Sequence, residues 1–191
     1  VGTVALDQLI HLLRTSQGPI TLLTLGPLTN VQYMMDQAPD LIDKLDQIIM
    51  MGGCLGPGNY SDRVEFNFGF DPQATRKVMS LECAKTIIPL EVGKQVSFEM
   101  DTVRKWPIWQ AIGPLVQPFL LDLHGGQVPQ VIKLFDLMAA AYLIHPSAFE
   151  QVVLNLTVDE QAAILQDKQV GSSVHWTQTV DSKAILDLMR K

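Results

Sequence analysis

Glu65-Phe66-Asn67 is the stretch of this chain best equipped for chemistry, with Met51-Gly52-Gly53 upstream and Asp71-Pro72 just downstream. On an extended segment, a carboxylate and a carboxamide two residues apart point the same way. Together they can accept from and donate to neighbouring hydroxyls of a polyol. A glycine pair ahead of them lets backbone approach a ligand closely. Two further carboxylates stand out. Glu91 closes a short apolar run, and Asp136 opens an otherwise apolar segment, Phe135 to Leu143. By local sequence Asp136 reads as a helix cap; the functional alternative is a metal ligand facing a pocket.

These residues need a scaffold, and the chain punctuates one. Leu6, Leu9, Ile10 and Leu13 recur at helical spacing, and Gly18-Pro19 ends that unit. Ile20 to Leu25 and Ile48 to Met51 are short apolar runs that read as buried strands, broken by Gly26-Pro27 and Gly52-Gly53. Thr29 or Asn30 is the predicted cap of a helix running to about Gln37. A second short helix starts near Pro39, and a loop spans Cys54 to Phe70. Asp71-Pro72 opens another helix, with Asp as cap and Pro at its first position, and Thr86 to Val92 is the third strand. From Met100 to Gln130 the pattern is helical but interrupted by Pro107, Pro114 and Pro118, and Gly125-Gly126 marks a loop. Phe135 to Leu143 is a helix ended by His145-Pro146, Val174 to Val180 is β-like, and Asp181 caps a last helix, Ser182 to Arg190. Helices alternating with buried strands predict an α/β fold, an open, mostly parallel sheet flanked by helices, in one domain over residues 1–191. Ligands of such sheets sit beyond the carboxyl ends of the strands, where Leu25, the 51–67 stretch and Glu91 all fall.

Composition excludes several classes. The net charge of −6 carries no basic cluster, which argues against nucleic-acid binding. No apolar run approaches the ~20 residues of a membrane span. Hydrophobic residues make up 47% and charged ones 18%, an apolar balance against the typical charged share of about 25%; either a sheet covered on both faces or an apolar surface that belongs against a missing partner would account for it. Cys54 and Cys83 lack metal or redox spacing and read as reduced thiols of a cytoplasmic protein. The four histidines show no metal-ligand spacing. Asn59-Tyr60-Ser61 and Asn155-Leu156-Thr157 match the glycosylation sequon by chance. Val1 to Val4 carries no signal-peptide pattern, and the lack of an initiator Met fits a start inside a longer protein.

The ordered set of motifs resembles a known family. Leu22-Leu23-Thr24-Leu25-Gly26-Pro27-Leu28-Thr29-Asn30 looks like the glycine-proline turn of the inosine-uridine-preferring nucleoside hydrolases. Met51-Gly52-Gly53, Gly58-Asn59, Glu65-Phe66-Asn67 and Asp71-Pro72 follow that family's order and spacing. Phe135-Asp136 through His145-Pro146 is similar to its late helix, where the pattern usually reads His-Asp. The resemblance implies a Ca²⁺-dependent N-ribohydrolase of nucleoside salvage, which splits a nucleoside into ribose and free base. By position it implies that the carbonyl of Leu25 and the carboxylate of Asp136 are metal ligands. Asn59, Glu65 and Asn67 would hold ribose hydroxyls, and Met51 would pack beside the sugar. A structural role is the expectation for Glu91. The family's N-terminal Asp-x-Asp-x-x-x-Asp-Asp cluster, which supplies the general base, has no counterpart. Asp36, Asp40, Asp43 and Asp46 lie close together but are interrupted by Pro39, and the three after it have helical spacing and read as a wet helix face. The expectation is therefore a family member lacking the first strand or strands, with no catalytic base of its own and weak or absent Ca²⁺ binding. Its partners would be a nucleoside and either further copies or the missing segment. The alternative is a non-catalytic ribose-binding or structural module. Phe135 stands where a proton-donating His is common; His124, beside Gly125-Gly126, is a candidate for a loop over the base.

Overall fold

The computed structural model describes residues 3–167 and 170–189, so Arg190, the expected end of the last helix, lies outside them. Its elements in chain order are α1 (Thr3–Thr15), β1 (Ile20–Thr24), α2 (Thr29–Gln37), β2 (Leu45–Met51), α3 (Phe66–Phe70), α4 (Pro72–Met79), β3 (Ala84–Ile88), α5 (Leu90–Gly93), β4 (Phe98–Glu99), α6 (Met100–Val103), α7 (Trp109–Leu123), β5 (Val131–Ile132), α8 (Phe135–Ile144), β6 (Phe149–Val158), β7 (Ile164–Gln166), β8 (Ser172–Val180) and α9 (Ser182–Leu188). Six strands form one sheet in the order β1-β2-β3-β8-β6-β7. β1, β2, β3 and β8 run parallel, and β6 pairs antiparallel with both β8 and β7. The α/β reading holds.

The sheet is covered on both faces, as a parallel sheet requires. Ile48 and Met50 of β2 point into one core with Leu28, Met34, Leu41 and Phe68. Ile49 and Met51 point into the other, with Phe98, Met138 and Ala139. Alternate residues of one strand thus feed opposite cores, the period-2 geometry of a strand. Among the described residues β1 has only β2 as a neighbour, so its far edge is open. Among the described residues no helix is long and apolar enough to cross a membrane.

Several local expectations are corrected. The helix α2 has Leu28 at its N-cap with no side-chain cap; the Thr29 hydroxyl instead donates to Asp71 at 2.7 Å. The third strand stops at Ile88, because Pro89 lacks the N–H a ladder needs, and Glu91 lies in α5 rather than on the strand. The acidic residues do not share a helix face. Asp36 in α2 pairs with Lys77, Asp40 in a 3₁₀ turn pairs with Arg14 at 3.0 Å, and Asp46 lies in β2. Pro114 and Pro118 do not interrupt α7. Both are exposed, so water can solvate the carbonyls their missing N–H groups leave free. The strand β6, absent from the sequence reading, is ten residues long and makes the longest pairing in the sheet.

Candidate functional site

The loop after β2 is where sequence and structure diverge most. Glu65 is not followed by an extended segment: it is the N-cap of α3, and Asn67 lies inside that helix. Capping explains the change. Helix starts leave orphan backbone donors, and the Glu65 carboxylate takes two of them. Its Oε1 accepts from Asn67 N at 2.9 Å and its Oε2 from Phe68 N at 3.2 Å. The same Oε2 also accepts from Gly53 N at 3.0 Å. The cap therefore locks α3 to the turn at the end of β2. Glu65 is 2% exposed, and burial pushes its carboxyl above the ordinary range, against the lowering effect of these three hydrogen bonds; the Asp136 charge raises it further.

Asn67, also buried, completes the ring. Its Nδ2 donates to the Met51 carbonyl at 3.0 Å and lies 3.2 Å from the Met51 sulfur. Asn59, exposed on the loop, accepts from Phe66 N at 2.8 Å. The glycine pair serves this packing rather than an open approach. A Cβ on Gly52 would sit 2.4 Å from the Phe68 ring and 3.3 Å from Glu65 Oε2, and Gly53 has φ +73°. Sheet register carries the ring to β1. Thr24 pairs with Met50, which sets Leu25, 43% exposed, beside Met51 at the strands' carboxyl ends.

Asp136 enters from the other core face, in the first turn of α8 behind an uncapped Leu134. Its side of the molecule packs on β2, and its charge reaches Glu65. Unlike Glu65 it is exposed. Partial desolvation pushes its carboxyl up, and no described group hydrogen-bonds it. Leu25, Met51, Asn59, Glu65 and Asn67 are thus joined by register and hydrogen bonds, and Asp136 by electrostatics. A cradle of this kind can hold adjacent hydroxyls, with one free carboxylate beside it.

Glu91 anchors the loop. Its Oε1 accepts from Leu55 N at 2.9 Å and Gly56 N at 2.7 Å, and its Oε2 is a buried oxygen without a hydrogen-bond partner among the described residues. The Cys54 thiol is pushed up to about 11, by burial first and then by the Glu91 and Glu65 charges, so it is an inert thiol. His124 caps the exposed end of α7, and His145 ends α8 with its Nδ1 3.3 Å from the Ser147 hydroxyl. Among the described residues no three His, Cys, Asp or Glu side chains cluster as a metal shell.

The sequence reading missed a cavity of about 420 Å³ next to Asp136, walled by α6, α7 and the start of α8. Trp106, Trp109 and Phe135 line it. The two tryptophans close together in an apolar stretch were the available signal.

Comparison with known proteins bears on family and fold. The family model of inosine-uridine preferring nucleoside hydrolase matches residues 2–187. The non-specific ribonucleoside hydrolase RihC of Klebsiella pneumoniae is 29% identical over 143 residues, 75% of this chain and 46% of that protein. RihC of Salmonella paratyphi A is 28% identical over 131 residues, 69% of this chain and 43% of its own length. The chain thus spans about half the length of the curated relatives it matches. Among solved structures, an inosine-uridine preferring nucleoside hydrolase from Bacillus anthracis superposes with a TM-score of 0.79 at 24% identity, covering 97% of this chain and 64% of that one. A plant nucleoside hydrolase gives 0.81 at 20% identity, with 97% and 65% covered. At these identities the structures speak for the fold.

Proposed function

The chain belongs to the inosine-uridine preferring nucleoside hydrolase family, and from that premise we propose that its polar cradle is the sugar half of an N-ribohydrolase site. The reaction is hydrolysis of the bond between C1′ of ribose and a base nitrogen, through an oxocarbenium-like transition state. Glu65, Asn67 and Asn59 hold ribose hydroxyls, and Met51 packs against the sugar. The supporting observation is the closed ring from Gly53 through Glu65 and Asn67 to Met51. It presets a buried carboxylate and amide before any ligand arrives, and such preorganisation is where binding energy is saved.

Calcium is the ion the resemblance implies. The Leu25 carbonyl and the Asp136 carboxylate are hard oxygen donors of the kind it prefers, but it takes about six to eight oxygens. Two donors do not make that shell, so these residues alone do not fit the ion. A carboxylate free to act as general base is likewise missing from the cradle, since Glu65 is committed to three backbone donors. We propose that this chain by itself binds Ca²⁺ weakly and turns over no nucleoside. The remaining carboxylates would come from a strand added at the open edge of β1. Cytoplasmic purine and pyrimidine salvage and self-association belong to the same proposal.

The test is release of free ribose from inosine, uridine and cytidine with Ca²⁺ present, by this chain and by a version extended upstream. Ribose from the extended version alone is the expected result. Turnover by the short chain contradicts the account of missing groups, and silence from both supports a non-catalytic ribose-binding module instead.

A further inference from the structure

The helix α7 carries two apolar stripes, and only one of them holds it to the protein. Gly113 and Leu120 are buried, and Trp109 and Val116 at the same helical spacing pack against the neighbouring core. A second series, Ile108, Ile112, Leu115, Phe119 and Leu123, lies about a quarter turn away around the helix. Its members are 39–78% exposed. Ile108 is the N-cap, but its φ of −63° and ψ of −26° are helical, so it belongs to the series. Together these exposures amount to about three whole side chains, roughly 600 Å² at about 200 Å² each. That matches the largest apolar patch of a typical monomer, roughly 300–600 Å², a size that marks interaction sites.

We propose that this stripe is the contact of a symmetric dimer, with a second copy of the chain as its occupant. In an antiparallel helix pair on a two-fold axis, each contact occurs twice, with the two residues exchanged between copies. A centre between Leu115 and Val116 sets Ile112 of one copy against Phe119 of the other, and Ile108 against Leu123. It brings Leu115 of both copies to the axis. The series is thus its own complement along the whole helix. Two copies would bury about 1,200 Å², where standard interfaces begin. Asp122, the only charged residue of α7, is no obstacle. The two Asp122 carboxylates fall about 20 Å apart along the axis, beyond the Debye length of about 8 Å. Ile108 and Ile112 also line the cavity, so pairing sets the second copy's Leu123 and Phe119 at its mouth.

Two other occupants fit less well. A helix that lies on a membrane carries Lys or Arg on its polar flank. Here that flank holds Gln110 and Gln117, and the net charge is −6. An upstream continuation would enter through α1, whose Ile10 and Leu13 pack in the core on the other face of the sheet. The inference gives the self-association proposed above a surface. It does not depend on the N-ribohydrolase site, and its test needs no turnover.

Sedimentation velocity over a range of concentrations tests it, on this chain and on the upstream-extended one. Both should show a monomer–dimer equilibrium of micromolar affinity or tighter. Leu115→Glu puts two unpaired carboxylates at the axis and should weaken the dimer at least about 100-fold. Gln117→Glu, on the opposite flank, should leave it unchanged. Under mild oxidation Leu115→Cys should form a disulfide-linked dimer well above the background from Cys83, and Gln117→Cys should not. A monomer at every concentration overturns the proposal, as does equal association of the two Glu variants or equal cross-linking of the two Cys variants. An extended chain that stays monomeric assigns the stripe to the upstream segment instead. A monomer captured by phosphatidylcholine vesicles assigns it to a lipid surface. Either result sinks the dimer and leaves the N-ribohydrolase reading standing.

Discussion

Two carboxylates on opposite sides of the β2 terminus have opposite circumstances. Glu65 is buried, and its oxygens already accept from three backbone N–H groups. Asp136 is exposed and accepts from no described group. The first gives most of its acceptor capacity to the cradle's shape and keeps one lone pair on Oε1 for a ligand hydroxyl, and the second is wholly available to something that arrives from outside. A carboxylate's type therefore says little about its role; what its oxygens already touch says much more.

That contrast can be broken by substitution. Glu65→Ala strands three buried backbone donors, each worth about 1–3 kcal/mol, so the fold should lose on the order of 3–5 kcal/mol in urea denaturation. Asp136→Ala should change stability by no more than about 0.5 kcal/mol, as exposed positions do. Similar losses from the two would erase the distinction. Function should invert the order. In an active, extended form Asp136→Ala should cost on the order of 100-fold in kcat/KM. Glu91→Ala, which only loosens the loop at Leu55 and Gly56, should cost far less. Equal losses would mean that Asp136 does not face the ligand.

Smaller effects sharpen the picture. Gly52→Ala drives a methyl into the Phe68 ring and should destabilise by about 1–3 kcal/mol, the usual cost of overpacking, seen as a lower Tm with unchanged secondary structure. Acidity provides the mildest probe. Both carboxyls are raised above their ordinary values, so both take up a proton sooner on acidification than free carboxylates do. Ribose and cation affinity should fall at a pH above the ordinary carboxylate range. Stability moves the other way: ionising these groups costs the fold, so their contribution declines as pH rises through the window between the ordinary and the raised values. Binding isotherms and melting curves across mildly acidic pH read the two signs separately.

The parallel half of the sheet was legible because β1 and β2 are apolar runs with Gly-Pro or Gly-Gly stops; the expected burial holds for most of β2, whereas β1, at the end of the strand order, is half-buried except at Thr24. The strand β6 was not legible. Glu150, Gln151 and Asn155 interrupt its pattern, and only pairing with β8, from Phe149–Val180 to Leu156–Ser172, makes it a strand. The order of cradle residues could be read, but the conformation carrying them could not. Spacing of two fits a strand, yet Glu65 seals a helix because orphan N–H groups in a buried turn demand an acceptor. The aromatic cavity was invisible for a different reason: Trp106 and Phe135 are far apart in the chain, and only the tertiary fold brings them to the wall of one cavity.

The most direct test is a crystal structure of this chain soaked with ribose and Ca²⁺. The pentose should lie with its hydroxyls within hydrogen-bonding distance of Glu65, Asn67 and Asn59, and with Asp136 and the Leu25 carbonyl on the same side. A sugar found elsewhere, or Asp136 turned away from it, would contradict the assignment.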